Sequence, residues 1–188
     1  MPDRDAHILR ENTGTSGVLE TARTAAALLA DQDIPHLIVG GIAVQEHGYP
    51  RVTIDVDMVV PDVLEAVEFL TASLTNPFYR VPDAADRVAD RRTHTFVDLL
   101  PAGSVVKQGC KVPFPQPIRA TPELQIATLE ELISLKLDSW KNSPLKRLRD
   151  KTDVVELILR RKLSRSIAVN PGIRPLYEQV WDAIQAEP

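Results

Sequence analysis

The sequence is poor in residues on which several classes of protein depend. Cys110 is the only cysteine in 188 residues, and aromatic residues make up 5% of the chain. A lone cysteine excludes an intramolecular disulfide and a zinc site built from the cysteines of one chain. Scarce aromatic side chains leave few platforms on which the bases of single-stranded nucleic acid could stack.

Long apolar runs and an excess of positive charge are also missing. The net charge is −4, so no overall field draws the chain to nucleic acid, although a local basic patch is compatible with that value. No apolar run is long enough to span a bilayer, and the polar N-terminus shows no secretory signal. We therefore expect no membrane association and a cytoplasmic location.

An Asp-x-Asp pair is the most informative feature that the chain does contain. Of three such pairs, only Asp55 and Asp57 alternate with β-branched apolar residues. Side chains two residues apart in a strand point to the same face, so the two carboxylates project together. Two carboxylate charges on one face of a buried strand are costly unless an opposite charge compensates them. A divalent cation can do so, and carboxylate oxygens are the hard ligands that Mg²⁺ and Mn²⁺ prefer. An exposed edge strand with a polar face is the alternative.

A Gly-Gly pair precedes these aspartates. Gly40 and Gly41 end an apolar run and open a short helical segment. Glycines there leave room for phosphate oxygens to approach the backbone, and a helix start offers free N–H groups. The alternative is a tight strand-to-helix turn that needs no ligand.

Together these motifs resemble the signature of the nucleotidyltransferase superfamily, which has the DNA polymerase β-like fold. The matching segments are Val39-Gly40-Gly41 and Ile54-Asp55-Val56-Asp57-Met58. A third acidic residue on a later strand completes the pattern, and Asp98 is the best match. The longer form, His-Gly-x-x-Arg-x-Thr before the acidic pair, resembles the branch that contains the AbiEii-type toxins and uncharacterised relatives.

The resemblance implies a metal-dependent nucleotidyltransferase. It would transfer an NMP group from an NTP to a hydroxyl of RNA, protein or a small molecule, and release pyrophosphate. Asp55 and Asp57 would chelate Mg²⁺ (or Mn²⁺) that bridges the triphosphate, and Asp98 would join a second ion. Two alternatives are the toxin of a toxin–antitoxin pair, acting on tRNA and bound by a cognate antitoxin, and a non-catalytic scaffold that binds nucleotide.

The resemblance extends to residues outside the acidic signature. It implies that Lys136 contacts a phosphate with Asp153 as its partner, and that Arg51 meets a phosphate or pairs with a carboxylate. Solvated surface ion pairs of little energetic value are the alternative for the helical residues. The predicted nucleotide-binding set is Gly40, Gly41, Arg51, Thr53, Lys136, Asp150 and Asp153.

Hydrophobic periodicity predicts an α/β (α+β) part followed by a helical part. The resemblance implies that the first part is a nucleotidyltransferase-like mixed sheet flanked by helices, with the second as a C-terminal helical extension. We expect a flexible lead over residues 1–16, the α/β core over 17–122 and the helical part over 123–188. Within the core, residues 37–39, 52–60 and 95–100 are predicted strands, and residues 76–92 are predicted to be irregular. Thr128 and Glu131 form a predicted capping box that opens the helical part.

Overall fold

A five-stranded sheet and six helices make up the part of the chain that the computed structural model describes, residues 15–187. In chain order the elements are α1 (Thr15–Ala30), β1 (Leu37–Ile38), α2 (Gly40–Glu46), β2 (Asp55–Val60), α3 (Val63–Thr71), β3 (Phe78–Arg80), β4 (Arg87–Asp90), β5 (Phe96–Pro101), α4 (Leu129–Asn142), α5 (Leu148–Arg161) and α6 (Arg174–Ala186). The predicted flexible lead falls mostly outside the described residues, and its last two residues already belong to α1.

The sheet is mixed, as the sequence predicts. Its strand order is β1-β2-β5-β4-β3; β2 and β5 are parallel, and the other neighbouring strands are antiparallel. In the β2–β5 ladder Asp57 is paired in register with Asp98. Paired residues on neighbouring strands point to the same face, so the third carboxylate joins the face of the first two.

Each face of the sheet is covered by its own hydrophobic cluster. Val56, Met58 and Val60 of β2 are fully buried in the cluster that includes α1 and α3. The alternate residues Asp55, Asp57 and Val59 face the other way, where Val59 packs with residues of α4, α5 and α6. The helical part therefore shares a core with the sheet, and it covers the face that carries the carboxylates.

The prediction of irregular structure over residues 76–92 is wrong. This stretch forms β3 and β4, which pair with each other, while β4 also pairs with β5. Both strands are short and carry charged residues, so they lack a clear hydrophobic alternation. Strand β4 is stabilised by its antiparallel partners and by burial, with Val88 and Ala89 fully buried. Its last residue, the buried Asp90, accepts hydrogen bonds from Thr21 and from the backbone of Arg92.

Other element boundaries differ from the prediction in local ways. Strand β2 begins at Asp55 instead of residue 52. The predicted capping box is confirmed: Thr128 Oγ1 accepts a hydrogen bond from the Glu131 backbone, and Glu131 Oε2 accepts one from the Thr128 backbone at 2.8 Å. No helix within residues 15–187 combines the length and apolar character that crossing a membrane requires.

Candidate active site

A cleft of about 740 Å³ lies between the carboxylate face of the sheet and helices α4 and α5. The sheet contributes one wall, and the start of α5 with the loop before it contributes the facing wall. All predicted site residues line this cleft except Asp153, which is fully buried behind it. The fold thus gathers residues from both halves of the sequence around one space.

Three carboxylates concentrate negative charge on the sheet wall. The pKa of Asp57 is raised from 3.8 to about 6, first by burial and then by the neighbouring charges of Asp55 and Asp98. The charge of Lys136 and a hydrogen bond from the Gly41 backbone act in the opposite direction. The net upward shift indicates that the cations already present do not fully compensate this cluster.

The two glycines are required by the side chains beside them. Gly40 has φ +63°, and a Cβ added there would lie 1.8 Å from Asp57 Oδ2. A Cβ on Gly41 would lie 2.2 Å from the Thr53 hydroxyl oxygen. The space beside both glycines is therefore filled by residues of the site, so packing alone explains them, and their contact with phosphate stays a prediction.

We expect Gly40→Ala to damage the site more than any ordinary glycine substitution. A left-handed backbone costs a non-glycine residue about 1–3 kcal/mol, and the added methyl also displaces the Asp57 carboxylate. Gly48→Ala is the matched control, because Gly48 has φ +101° but its Cβ would meet nothing nearer than 3.5 Å. Urea unfolding and Mn²⁺ binding should both show a larger loss for Gly40→Ala than for Gly48→Ala. Equal losses in the two variants would contradict this explanation of Gly40.

A buried ion cluster joins the two halves of the chain behind the cleft. Asp153 contacts Lys136 Nζ at 2.7 Å, accepts a hydrogen bond from Arg51 Nη2 at 3.0 Å and lies 2.8 Å from Arg51 Nε. Lys136 Nζ also lies 3.0 Å from Asp150. Lys136 is only 7% exposed and Asp153 is fully buried, so these are not solvated surface pairs. Arg51 thus pairs with a carboxylate of helix α5, not with one that flanks its strand, and its contact with phosphate stays a prediction.

Thr53 supports the first aspartate of the pair. Its side chain is buried, and its hydroxyl lies 3.3 Å from Asp55 Oδ1 and 3.4 Å from the Asp55 carbonyl oxygen. These long contacts orient Asp55 rather than neutralise it. Thr53 therefore sits in the site as a neighbour of Gly41 and Asp55, and its contact with nucleotide stays a prediction.

Arg87 is a site residue that the sequence argument missed. It lies opposite Asp98 in the β4–β5 ladder, and its guanidinium donates hydrogen bonds to both carboxylate oxygens, one of them from Nη2 at 2.9 Å. Arg87 belongs to the stretch predicted to be irregular, and only the register of β4 against β5 brings it to Asp98. No motif in the sequence could have identified it.

Three basic residues form an unpaired rim on the wall that faces the carboxylates. Lys146, Arg147 and Arg149 are exposed and line the cleft. None of their side chains has a hydrogen-bond or ion-pair partner among the described residues. We call Lys146, Arg147 and Arg149 the basic rim. It makes the cleft bipolar, with acidic groups on the sheet wall and basic groups opposite.

The acidic wall has the kind of donor atoms that a divalent cation prefers, but within residues 15–187 they are not arranged as a ready-made metal site. Three carboxylates supply the hard oxygens that Mg²⁺ and Mn²⁺ prefer, and the pKa of Asp57 is raised by burial first and then by the charges of the other two. Among residues 15–187, however, no group of three or more acidic, histidine or cysteine side chains is arranged to hold a metal ion. Asp98 is engaged by Arg87, so of these three carboxylates Asp55 and Asp57 are the two that no cation of the chain pairs with directly.

The fold and the cleft define a mixed α/β protein with a bipolar ligand site. No protein-family model matches the chain, and no curated protein does. Among solved structures, the chain is similar in arrangement to the solution structure of the antibiotic-resistance factor ANT(2'')-Ia, with 14% identity and a TM-score of 0.48. The match covers 93% of this chain and 95% of that one.

Proposed function

We propose that this protein is a nucleotidyltransferase whose substrate is an NTP bound together with Mg²⁺ or Mn²⁺. The observation that carries the proposal is the bipolar cleft, in which three carboxylates face the unpaired basic rim. An anion accompanied by a divalent cation is a ligand whose charges suit both walls. The triphosphate of a nucleotide with its metal ion has that character.

The residues of the acidic wall would hold the cation and orient its ligands. Asp55 and Asp57 are the available donors, and Asp98 becomes one when Arg87 releases it. A divalent cation bound there would supply neutralisation of phosphate charge and polarisation of an acceptor hydroxyl. Thr53 orients Asp55, and the Gly41 backbone N–H fixes the Asp57 carboxylate against Gly40.

The basic residues would bind the phosphates. The basic rim can donate charge-assisted hydrogen bonds to phosphate oxygens, since none of its side chains is engaged within the described chain. Lys136 lowers the pKa of Asp57 through its charge, so it is close enough to the acidic wall to offset charge there. Asp153 and Asp150 hold Lys136 in that position.

The acceptor is proposed only as a hydroxyl group. RNA, protein and small molecules stay predictions from the sequence resemblance, as do a toxin role on tRNA, a cognate antitoxin and a cytoplasmic location. The chemistry of the cleft is common to the enzyme and the toxin alternatives, so we argue the enzyme reaction and keep the biological role separate.

The proposal predicts stabilisation by nucleotide that depends on both walls. With Mg²⁺ present, at least one of the four NTPs should raise the melting temperature by several degrees, because a ligand at 100 times its Kd contributes about 2.7 kcal/mol. Arg147→Ala/Arg149→Ala should weaken NTP affinity by at least about tenfold, since each lost bond to a charged group is worth more than a neutral one.

Arg160→Ala/Arg161→Ala is the matched control for that experiment. It removes the same charge from the other end of α5, where neither residue lines the cleft. Differential scanning fluorimetry and isothermal titration calorimetry give the two readouts. The proposal fails if no NTP binds, or if the Arg147/Arg149 variant binds NTP as well as the control does.

A further inference from the structure

The Arg87–Asp98 pair occupies the carboxylate that the proposed reaction needs. Both oxygens of Asp98 accept hydrogen bonds from the same guanidinium, so neither is free of a donor. The pair is accessible: the side chain of Arg87 is 41% exposed and that of Asp98 is 20% exposed. Because both groups reach solvent, separating them costs less than separating a buried pair.

Arg87 also has a second contact that does not involve Asp98. Its guanidinium carbon lies 5.2 Å from the centre of the Phe96 ring, within the range of a cation–π interaction. Phe96 belongs to the same strand as Asp98 and is 40% exposed. Arg87 can therefore leave the carboxylate without losing every partner, and it still lines the cleft.

Two other cations that line the cleft, Arg51 and Lys136, are paired with carboxylates of helix α5. Arg51 contacts Asp153, and Lys136 contacts both Asp150 and Asp153. At the Asp98 end of the acidic wall, Arg87 is thus the cation that the folded chain itself provides. A guanidinium there stabilises the cluster of carboxylates before any ligand arrives, because it reduces their mutual repulsion.

We infer that Arg87 is a positioning residue that holds Asp98 in the ligand-free protein and competes with a divalent cation for it. This inference rests on the proposed function. Binding of a cation at Asp98 requires Arg87 to give up at least one of its two hydrogen bonds. The released guanidinium remains at the cleft wall beside Phe96, where it can donate to an anionic ligand such as a triphosphate.

The sign of the effect on metal affinity distinguishes this role from a purely structural one. If Arg87 only kept Asp98 in place for the metal, removing its charge would weaken metal binding. If Arg87 competes for Asp98, removing its charge must strengthen metal binding. Methionine keeps much of the length and apolar stem of arginine without the charge, so Arg87→Met tests the charge.

We would measure Mn²⁺ binding without nucleotide by electron paramagnetic resonance of the free ion. Arg87→Met should bind Mn²⁺ about tenfold more tightly than wild type, the scale expected when a bidentate charged competitor is removed. Arg87→Lys should lie between the two, because lysine cannot form the same two-bond fork. The gain should vanish when Asp98→Asn is added.

Arg91→Met is the matched control, since Arg91 is exposed and stacks over Tyr79 at 5.1 Å without lining the cleft. It should bind Mn²⁺ like wild type. Unchanged or weaker binding by Arg87→Met overturns the inference, and circular dichroism establishes that each variant is folded. If wild type still binds Mn²⁺ through Asp57, that outcome leaves the proposed function standing. If no variant binds Mn²⁺ with or without NTP, the proposed function fails as well.

Discussion

Asp57→Asn is expected to abolish nucleotidyl transfer and, at the same time, to make the protein more stable at pH 7.5. Loss of a carboxylate from the acidic wall should reduce turnover at least about 10²–10³-fold, the scale of removing one group that stabilises developing charge. Asparagine matches aspartate in shape, so its oxygen can still accept the hydrogen bond from the Gly41 backbone. The variant should therefore fold normally.

The gain in stability follows from the raised pKa of Asp57. The pKa is about 6 in the folded protein and 3.8 when the group is unperturbed, so the folded state holds more protons between those pH values. Stability from this group is therefore greatest below pH 4 and is lost as pH rises through 6. The full pKa shift corresponds to about 3 kcal/mol. The actual loss is smaller than that, because the side chain is only half-buried and solvent screens its charge.

Urea unfolding from pH 4 to pH 8 measures this effect as the difference between wild type and Asp57→Asn. That difference should grow in favour of the variant as pH rises from 4 to 6 and then level off. Metal should show the opposite trend in wild type, because protonation of Asp57 competes with Mn²⁺ below pH 6. Asp33→Asn, in an exposed turn with φ +58°, is the control and should change neither curve. A variant less stable than wild type at pH 7.5 would contradict the argument.

The acidic wall could be predicted from the sequence because the residue patterns that identify it are local. Alternation in β2 fixes which residues share a face, and the repeated apolar frame around Asp98 places it in a similar strand. The parallel register that aligns Asp57 with Asp98 then follows from both strands packing their apolar faces on the same helices. The capping box at Thr128 is local in the same way, and it too is found where the sequence predicts it.

Residues whose role depends on pairing across the fold could not be predicted. Arg87 reaches Asp98 only through the register of β4, a strand of four residues whose own pattern is too short to reveal it. The burial of Lys136, for which the sequence left a solvated surface pair as the alternative, depends on packing across the fold in the same way. A lysine between two leucines is usually a surface residue. Helix α4, however, is covered around almost its whole circumference, since residues 132–139 are all buried.

The burial of this ion cluster determines how strongly a substitution in it should lower the free energy of unfolding. A surface lysine would contribute little to stability, but Lys136 and Arg51 share the fully buried Asp153. Asp153→Ala would leave both cations without their common partner, although half-buried Asp150 would still pair with Lys136. Removing one member of a buried ion cluster costs about 3–5 kcal/mol, because the remaining charge stays desolvated. We expect a loss of that size in urea unfolding.

Lys136→Met should be milder, because Arg51 still pairs with Asp153 through two contacts and methionine fills the space of the lysine stem. We expect a cost of about 1–2 kcal/mol in stability, together with weaker NTP binding. The double variant Lys136→Met/Asp153→Ala should be more stable than the sum of the two single losses predicts, since each substitution removes the charge that the other leaves unpaired. Strict additivity, or a cost below about 1 kcal/mol for Asp153→Ala, would mean that the cluster behaves as a solvated surface network. Lys136 would then have no fixed position from which to offset charge at Asp57.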